Sequence, residues 1–87
     1  MATVYLPAPL RAACGGTESL ALEARTVGEA IDLLAARWPE VRTRLCAGNQ
    51  LAPGVQVSID GALSARGLLA RLEPDSEVHF LPALGGG

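Results

Sequence analysis

The chain contains no lysine. Its seven cations, at positions 11, 25, 37, 42, 44, 66 and 71, are all arginines. A GC-rich genome that spells basic residues as arginine is the expected cause, ahead of thermal adaptation. The chemical consequence is independent of that cause: the one amine expected on the chain is its N-terminus. Aromatic residues are equally scarce, at 3% of the chain. With no basic run, few rings to stack on bases and a net charge of −2, nucleic acid is excluded as an expected partner. No apolar run approaches the ~20 residues of a membrane span. No charged-then-apolar leader precedes the first strand, so a cytoplasmic protein with no membrane partner is expected. Cys14 and Cys46 lie far apart in the sequence and match no metal or redox spacing. Two free thiols and no metal site are expected, with Cys14 placed beside Gly15-Gly16 in an exposed loop.

What is present is enough for one small domain. Hydrophobic residues make up 49% of the 87 positions, which fills a single core without metal or disulfide staples. Residues 1–84 are expected to form that domain and residues 85–87 a flexible tail. Ala2 to Leu6 alternates as a first strand, ended by Pro7 and Pro9, and Leu20 to Glu23 returns as a second after a turn at Ala12 to Ser19. Thr26 and Glu29 bracket a capping box at the start of a helix. Val27, Ala30, Ile31, Leu34, Ala35 and Trp38 then recur at helical spacing, and Pro39 stops the run. Residues 41–45 read as a short extra turn. Val55 to Ile59 alternates as a third strand before the turn dipeptide Asp60-Gly61. Leu68, Leu69 and Leu72 read as core plugs in a mixed segment, and Glu77 to Leu81 is the last strand. One helix must cover one face of a mixed four- to five-stranded sheet to bury its stripe. The expected fold class is α+β, in the β-grasp or ubiquitin-like arrangement with first and last strands parallel at the centre. The expected core is Val4, Leu6, Leu20, Leu22, Val27, Ile31, Leu34, Val55, Val57, Ile59, Val78 and Phe80.

No catalytic machinery is evident. His79 lies on the face of the last strand opposite Val78 and Phe80, with no nucleophile or orienting group indicated beside it. The helix carboxylates read as solvation. Gly15-Gly16 lacks the lysine, the hydroxyl residue and the strand-to-helix setting of a phosphate loop.

The chain ends on Gly85-Gly86-Gly87 directly after the last strand. Glycine has no Cβ, so such a tail can thread a narrow channel and take up any backbone angles found there. A carboxylate is a poor electrophile, but joined to AMP it becomes an acyl-adenylate open to sulfur or nitrogen nucleophiles. The ending points to a carrier whose reactive group is its own C-terminus.

Several segments in order resemble one family. They are Leu6-Pro7-Ala8-Pro9-Leu10-Arg11, Thr26-Val27-Gly28-Glu29-Ala30, Trp38-Pro39, Ile59-Asp60-Gly61, Leu72 to Val78, and Leu81-Pro82-Ala83-Leu84-Gly85-Gly86-Gly87. Together they are similar to the small ubiquitin-like sulfur carriers of molybdopterin and thiamine synthesis, the ThiS/MoaD family. The resemblance implies a protein co-substrate rather than an enzyme, or the small subunit of a heteromeric synthase such as molybdopterin synthase. It implies no stably bound cofactor, with ATP consumed by an E1-like adenylating partner. It implies that Gly87 carries the adenylate and then the thiocarboxylate, that Gly85 and Gly86 thread the partner, and that Tyr5, His79, Leu81, Pro82 and Leu84 dock it. Gly85 departs mildly from the small residue usual before the glycine pair. The implied sulfur acceptor is a molybdopterin synthase large subunit or a pyridoxal-phosphate cysteine synthase. A thiamine-pathway carrier and a modifier joined to lysines of other proteins are the alternatives.

Overall fold

The computed structural model describes residues 1–82. At the centre of the sheet the first strand, β1 (Ala2–Tyr5), runs parallel to the last, β7 (Glu77–Pro82). β2 (Ser19–Leu22) returns antiparallel along β1, and β5 (Val55–Ile59) pairs antiparallel with the other side of β7. The short β6 (Ala62–Ser64) completes a five-stranded sheet of order β2-β1-β7-β5-β6. One face is covered by α2 (Val27–Arg37), whose buried Val27, Ala30, Ile31 and Leu34 join Val4, Val57, Val78 and Phe80 in one core. This is the β-grasp arrangement.

Local chemistry accounts for the helix start. The Thr26 hydroxyl accepts a hydrogen bond from the Glu29 N–H at 3.1 Å, satisfying one of the orphan donors of the first turn. Glu29 reaches back to the Arg25 N–H at 2.8 Å, one residue earlier than a reciprocal box predicts. The Thr26 backbone is instead part of a bridge to Arg71. Ala35 and Trp38 sit half-exposed at the rim of the stripe rather than within it.

The largest departure from expectation lies between β1 and β2. Ala8–Arg11 forms a helical turn, α1, that continues as a 3₁₀ turn over Ala12–Cys14. Proline near a helix start costs no hydrogen bond, since the first N–H groups have no partner there in any case. Pro7 and Pro9 therefore open this segment as well as closing the strand. Leu10 and Cys14, four residues apart, fall on its inner side, 1% and 0% exposed. Cys14 is thus a core residue and not an exposed loop thiol. The glycine pair ends this helical segment: Gly15 has φ +66°, and the Gly16 N–H donates to the Arg11 carbonyl at 2.7 Å.

Two further elements occupy segments that read as turn or loop in the sequence. α3 (Glu40–Leu45) buries Val41 and Leu45, again four apart, and a two-residue ladder joins β3 (Cys46–Ala47) to β4 (Gln50–Leu51). Beyond the Asp60-Gly61 turn, where φ is +52° and +86°, β6 pairs with β5. Of the three expected leucine plugs, Leu72 is buried, Leu68 is partly buried and Leu69 is 73% exposed. Leu69 lies in the 3₁₀ turn Gly67–Leu69, too short to turn three consecutive side chains inward. Leu20, Leu22, Val55 and Ile59 pack at the edge of the core, and the other eight expected core residues are buried.

This packing generates three expected outcomes. Ile31→Ala or Leu34→Ala should each cost ~2–5 kcal/mol in denaturant unfolding, and an unchanged midpoint would mean that α2 faces elsewhere. Thr26→Ala should cost about 1 kcal/mol through loss of the cap. Burial pushes both thiols above their ordinary pKa, with Glu40 adding to the effect at Cys14 and Arg42 opposing it at Cys46. A raised pKa leaves less thiolate at neutral pH, and the thiolate is the reacting species. Alkylation of the native protein should therefore be slow at Cys46, slower at Cys14, and fast at both once the chain is unfolded.

Candidate functional site: the open sheet face and the exit of the last strand

Strand alternation divides the sheet into two faces. Val4, Val57, Val78 and Phe80 turn toward α2, so their neighbours Tyr5, Ser58, His79 and Leu81 turn away from it. The register aligns one row across all five strands on this open face: Ser19, Tyr5, His79, Ser58 and Leu63. The Tyr5 and His79 rings stack at its middle, with centroids 4.3 Å apart and planes 2° from parallel. Leu63 is 62% exposed and Leu81 40%. The face thus carries a flat aromatic pair and two exposed leucines.

Leu81 is the last outward-facing residue described, opposite Gln56 of β5. Apolar hollows adjoin it. One, of about 250 Å³, is lined by Pro9, Leu10, Leu45, Val55, Phe80 and Leu81, with Arg44 its charged member. A second is shared by Tyr5, His79, Pro7, Pro9, Arg11 and Leu81. The Arg11 Nε donates to the Leu6 carbonyl at 3.1 Å, which ties α1 to the end of β1 beside this hollow. The helical insert after β1 therefore builds the surroundings of the point where β7 ends.

The start of β7 is held with equal definition. Asp60 donates its N–H to the Glu77 carbonyl and accepts the Glu77 N–H on Oδ1, both at 2.9 Å. Ser76, 2% exposed, accepts the Glu73 N–H on Oγ at 2.8 Å, and its carbonyl receives the Thr3 N–H at 2.9 Å. These bonds fix the register of β7 against both neighbours, and with it the positions of His79 and Leu81.

Of the residues the sequence singled out, Tyr5, His79 and Leu81 are brought together on one face, and Thr3 shares it. Pro82 ends β7 opposite Val55. Leu84, Gly85, Gly86 and Gly87 lie outside the described residues. Sequence reading missed Leu63, whose signal was the alternation resuming after the Asp60-Gly61 turn, and the hollows built on Pro7 to Arg11. The signal for those hollows was a proline pair flanked by apolar residues four apart. Among the described residues no three His, Cys, Asp or Glu side chains gather to hold a metal, and no helix is long and apolar enough to cross a membrane. The exposed ion pairs Asp32–Arg42 and Glu40–Arg44 and the Arg37 guanidinium over the Trp38 ring, 4.5 Å from its centroid, lie on the helical side.

Comparison with known proteins sets this geometry among its relatives. The model of the ThiS family matches residues 4–87. A CysO from Amycolatopsis orientalis, solved in complex with BexX, is 29% identical with a TM-score of 0.89, each chain covered over 100% of its length. The CysO of Mycobacterium tuberculosis, described as an antigen, is 26% identical with a TM-score of 0.85, covering 97% of this chain and 100% of that one. The small archaeal modifier protein 1 of Methanosarcina acetivorans is 26% identical with a TM-score of 0.78, covering 99% and 95%. No curated protein matches. With the family model matched from the first strand to the last glycine, and the same fold in all three of these structures, the chain belongs to the ThiS family.

Proposed function

We propose that this protein is a sulfur carrier: an E1-like enzyme adenylates the carboxylate of Gly87 with ATP, and the adenylate is converted to a thiocarboxylate. Its sulfur then passes to a biosynthetic partner enzyme. The observation that carries the reading is a family match that runs through the fold and on to Gly87. In this reading the protein acts as a co-substrate, its own C-terminal carboxylate being the group that is activated, as the family match supports. Gly85 and Gly86 thread the partner's channel because they add no side-chain bulk and permit any backbone angle. Docking uses the open face, where Tyr5, His79 and Leu81 offer a rigid, partly apolar surface leading toward the tail. That a neighbour at 29% identity was solved with a partner chain, BexX, supports a role exercised in complexes. The sulfur acceptor in this reading is a pyridoxal-phosphate cysteine synthase or a molybdopterin synthase large subunit, the two that the family resemblance implies.

A second reading, attachment of Gly87 to amines of other proteins, is favoured by the similarity to an archaeal protein named as a modifier. Both readings share the adenylate and differ in the nucleophile that attacks it. Mass spectrometry of protein from its host separates them: exchange of one terminal oxygen for sulfur marks the carrier, and Gly-Gly remnants on other proteins' lysines mark the modifier.

Pyrophosphate exchange with the cognate activating enzyme tests the common step. Removing Gly86 and Gly87 should abolish exchange, because the carboxylate no longer reaches the nucleotide and small misplacements are costly in a near-attack geometry. The same deletion should shift unfolding by no more than about 0.5 kcal/mol, as surface changes do. Equal exchange by the two forms would refute the reading. Leu81→Asp should weaken adenylation by at least about tenfold, equivalent to roughly 1.4 kcal/mol of docking energy, while leaving the melting curve largely in place. Unchanged kinetics in that variant would put the docking surface elsewhere.

A further inference from the structure

The missing lysines acquire meaning once the ends of the sheet are located. An activated acyl group is discharged when an amine nitrogen attacks its carbonyl carbon. The new C–N bond forms, the bond to AMP or to a thiol breaks with that group leaving, and the amine loses a proton to solvent. Whether this happens within the carrier depends on which nucleophiles its own surface offers near the end of β7.

Three classes of side chain bear on this. The cations are arginines, whose guanidinium keeps its proton under all ordinary conditions and has no free lone pair, so none attacks an acyl carbon. Arg44 and Arg11, which line the hollows beside Leu81, occupy the positions where a lysine would have had ready access. The thiols are withdrawn: Cys14 is fully buried and Cys46 is half-buried, with burial holding both toward the protonated form. A thiol adduct at Cys46 would in any case be another thioester, still activated. His79 lies flat against Tyr5, and an acyl-imidazole ends in hydrolysis rather than an amide.

Within these 87 residues the amine left to consider is that of Met1, and the topology decides its reach. Because β1 and β7 are parallel, with Thr3 level with Glu77, the α-amine lies at the opposite end of the sheet from Pro82. Pro82 is five steps beyond Glu77 and Met1 two steps before Thr3, a separation of roughly 23 Å at about 3.3 Å per residue. The five residues 83–87 span at most about 17–18 Å when fully extended. An antiparallel pairing of the same strands would have brought the two ends together.

We propose that this 87-residue chain is an acyl donor closed to itself: once activated at Gly87 it meets no amine within reach among its own residues, so it forms neither an internal amide nor lysine-branched chains of its own copies. The proposal rests on the adenylated-carrier reading for its biological meaning, but its chemistry can be tested without any partner.

The experiment uses the full 87-residue chain carrying an alkyl thioester at Gly87, installed chemically as a stand-in for the activated end. It is incubated dilute at mildly alkaline pH and followed by intact mass. The expected course is hydrolysis to the free acid, with no product lighter than the free acid by one water. Arg44→Lys keeps the charge opposite Glu40 and places an amine beside Leu81; Gln56→Lys does so on the open face. Both should form the internal amide and lose thioester at least about tenfold faster than the parent, given the effective molarities of intramolecular attack. An internal amide in the parent chain would overturn the proposal. So would two lysine variants as inert as the parent, since protection would then not come from the missing amines. Pyrophosphate exchange on the same proteins reads the carrier hypothesis separately, so failure of one leaves the other measurable.

Discussion

Parallel pairing of β1 with β7 is the constraint on which the rest of the molecule depends. Parallel neighbours cannot be joined by a tight turn, so the chain must cross from one end of the sheet to the other between them. Here the crossing takes most of the sequence. It lays α2 over one face, adds β2 and β5 as flanking strands, and leaves Tyr5, His79 and Leu81 on the opposite face. The central strands are paired on both sides, which buries Val4 and Val78 completely. The same pairing sends the N-terminus and the end of β7 to opposite ends of the sheet.

The register of that pairing is set at the start of β7 rather than along it. The Thr3 N–H binds the Ser76 carbonyl while Asp60 brackets Glu77 from the other side. A slip of one residue would turn every side chain of β7 to the wrong face. Val78 and Phe80 would leave the core, and His79 would leave the ring of Tyr5. Buried and exposed faces therefore enforce the same alignment. The polar turn residues Ser76 and Asp60, at the start of β7, thus determine where Leu81 and Pro82 lie at its end.

A division of labour results. The energetic weight of the fold lies in the core between α2 and the sheet, which the terminal glycines cannot supplement because they have no side chains. The proposed chemistry lies in those same glycines, attached to the central strand of the sheet. On the proposed reading, a C-terminus that follows an anchored strand would be presented to another protein with little ordering entropy spent on the domain itself. The absence of lysine and the withdrawn thiols would, on the same reading, leave an activated end to other molecules.

How much of this could be read from residues alone differs from element to element. Thr26, Glu29 and the Val27-to-Leu34 stripe encode α2 by short-range hydrogen bonding and periodicity, so its placement was legible. Val55 to Ile59 and Glu77 to Leu81 alternate strictly, so their faces were legible too, and with them the grouping of Tyr5, His79 and Leu81. The segment from Ala8 to Cys14 was not. Its four-residue helix is too short to be stable by itself, and two glycines nearby mimic a turn. Only burial of Leu10 and Cys14 against the sheet makes it helical. Leu68, Leu69 and Leu72 present the same problem, for three leucines look alike until a 3₁₀ turn selects which face inward. The sequence by itself thus determined the main helix, the strand faces and the glycine character of the tail, because these depend on residue identity and on interactions between near neighbours. Tertiary structure alone decided which thiol is buried, which hollows flank Leu81 and how far Met1 lies from the end of β7, because those depend on strand pairing between residues far apart in the chain.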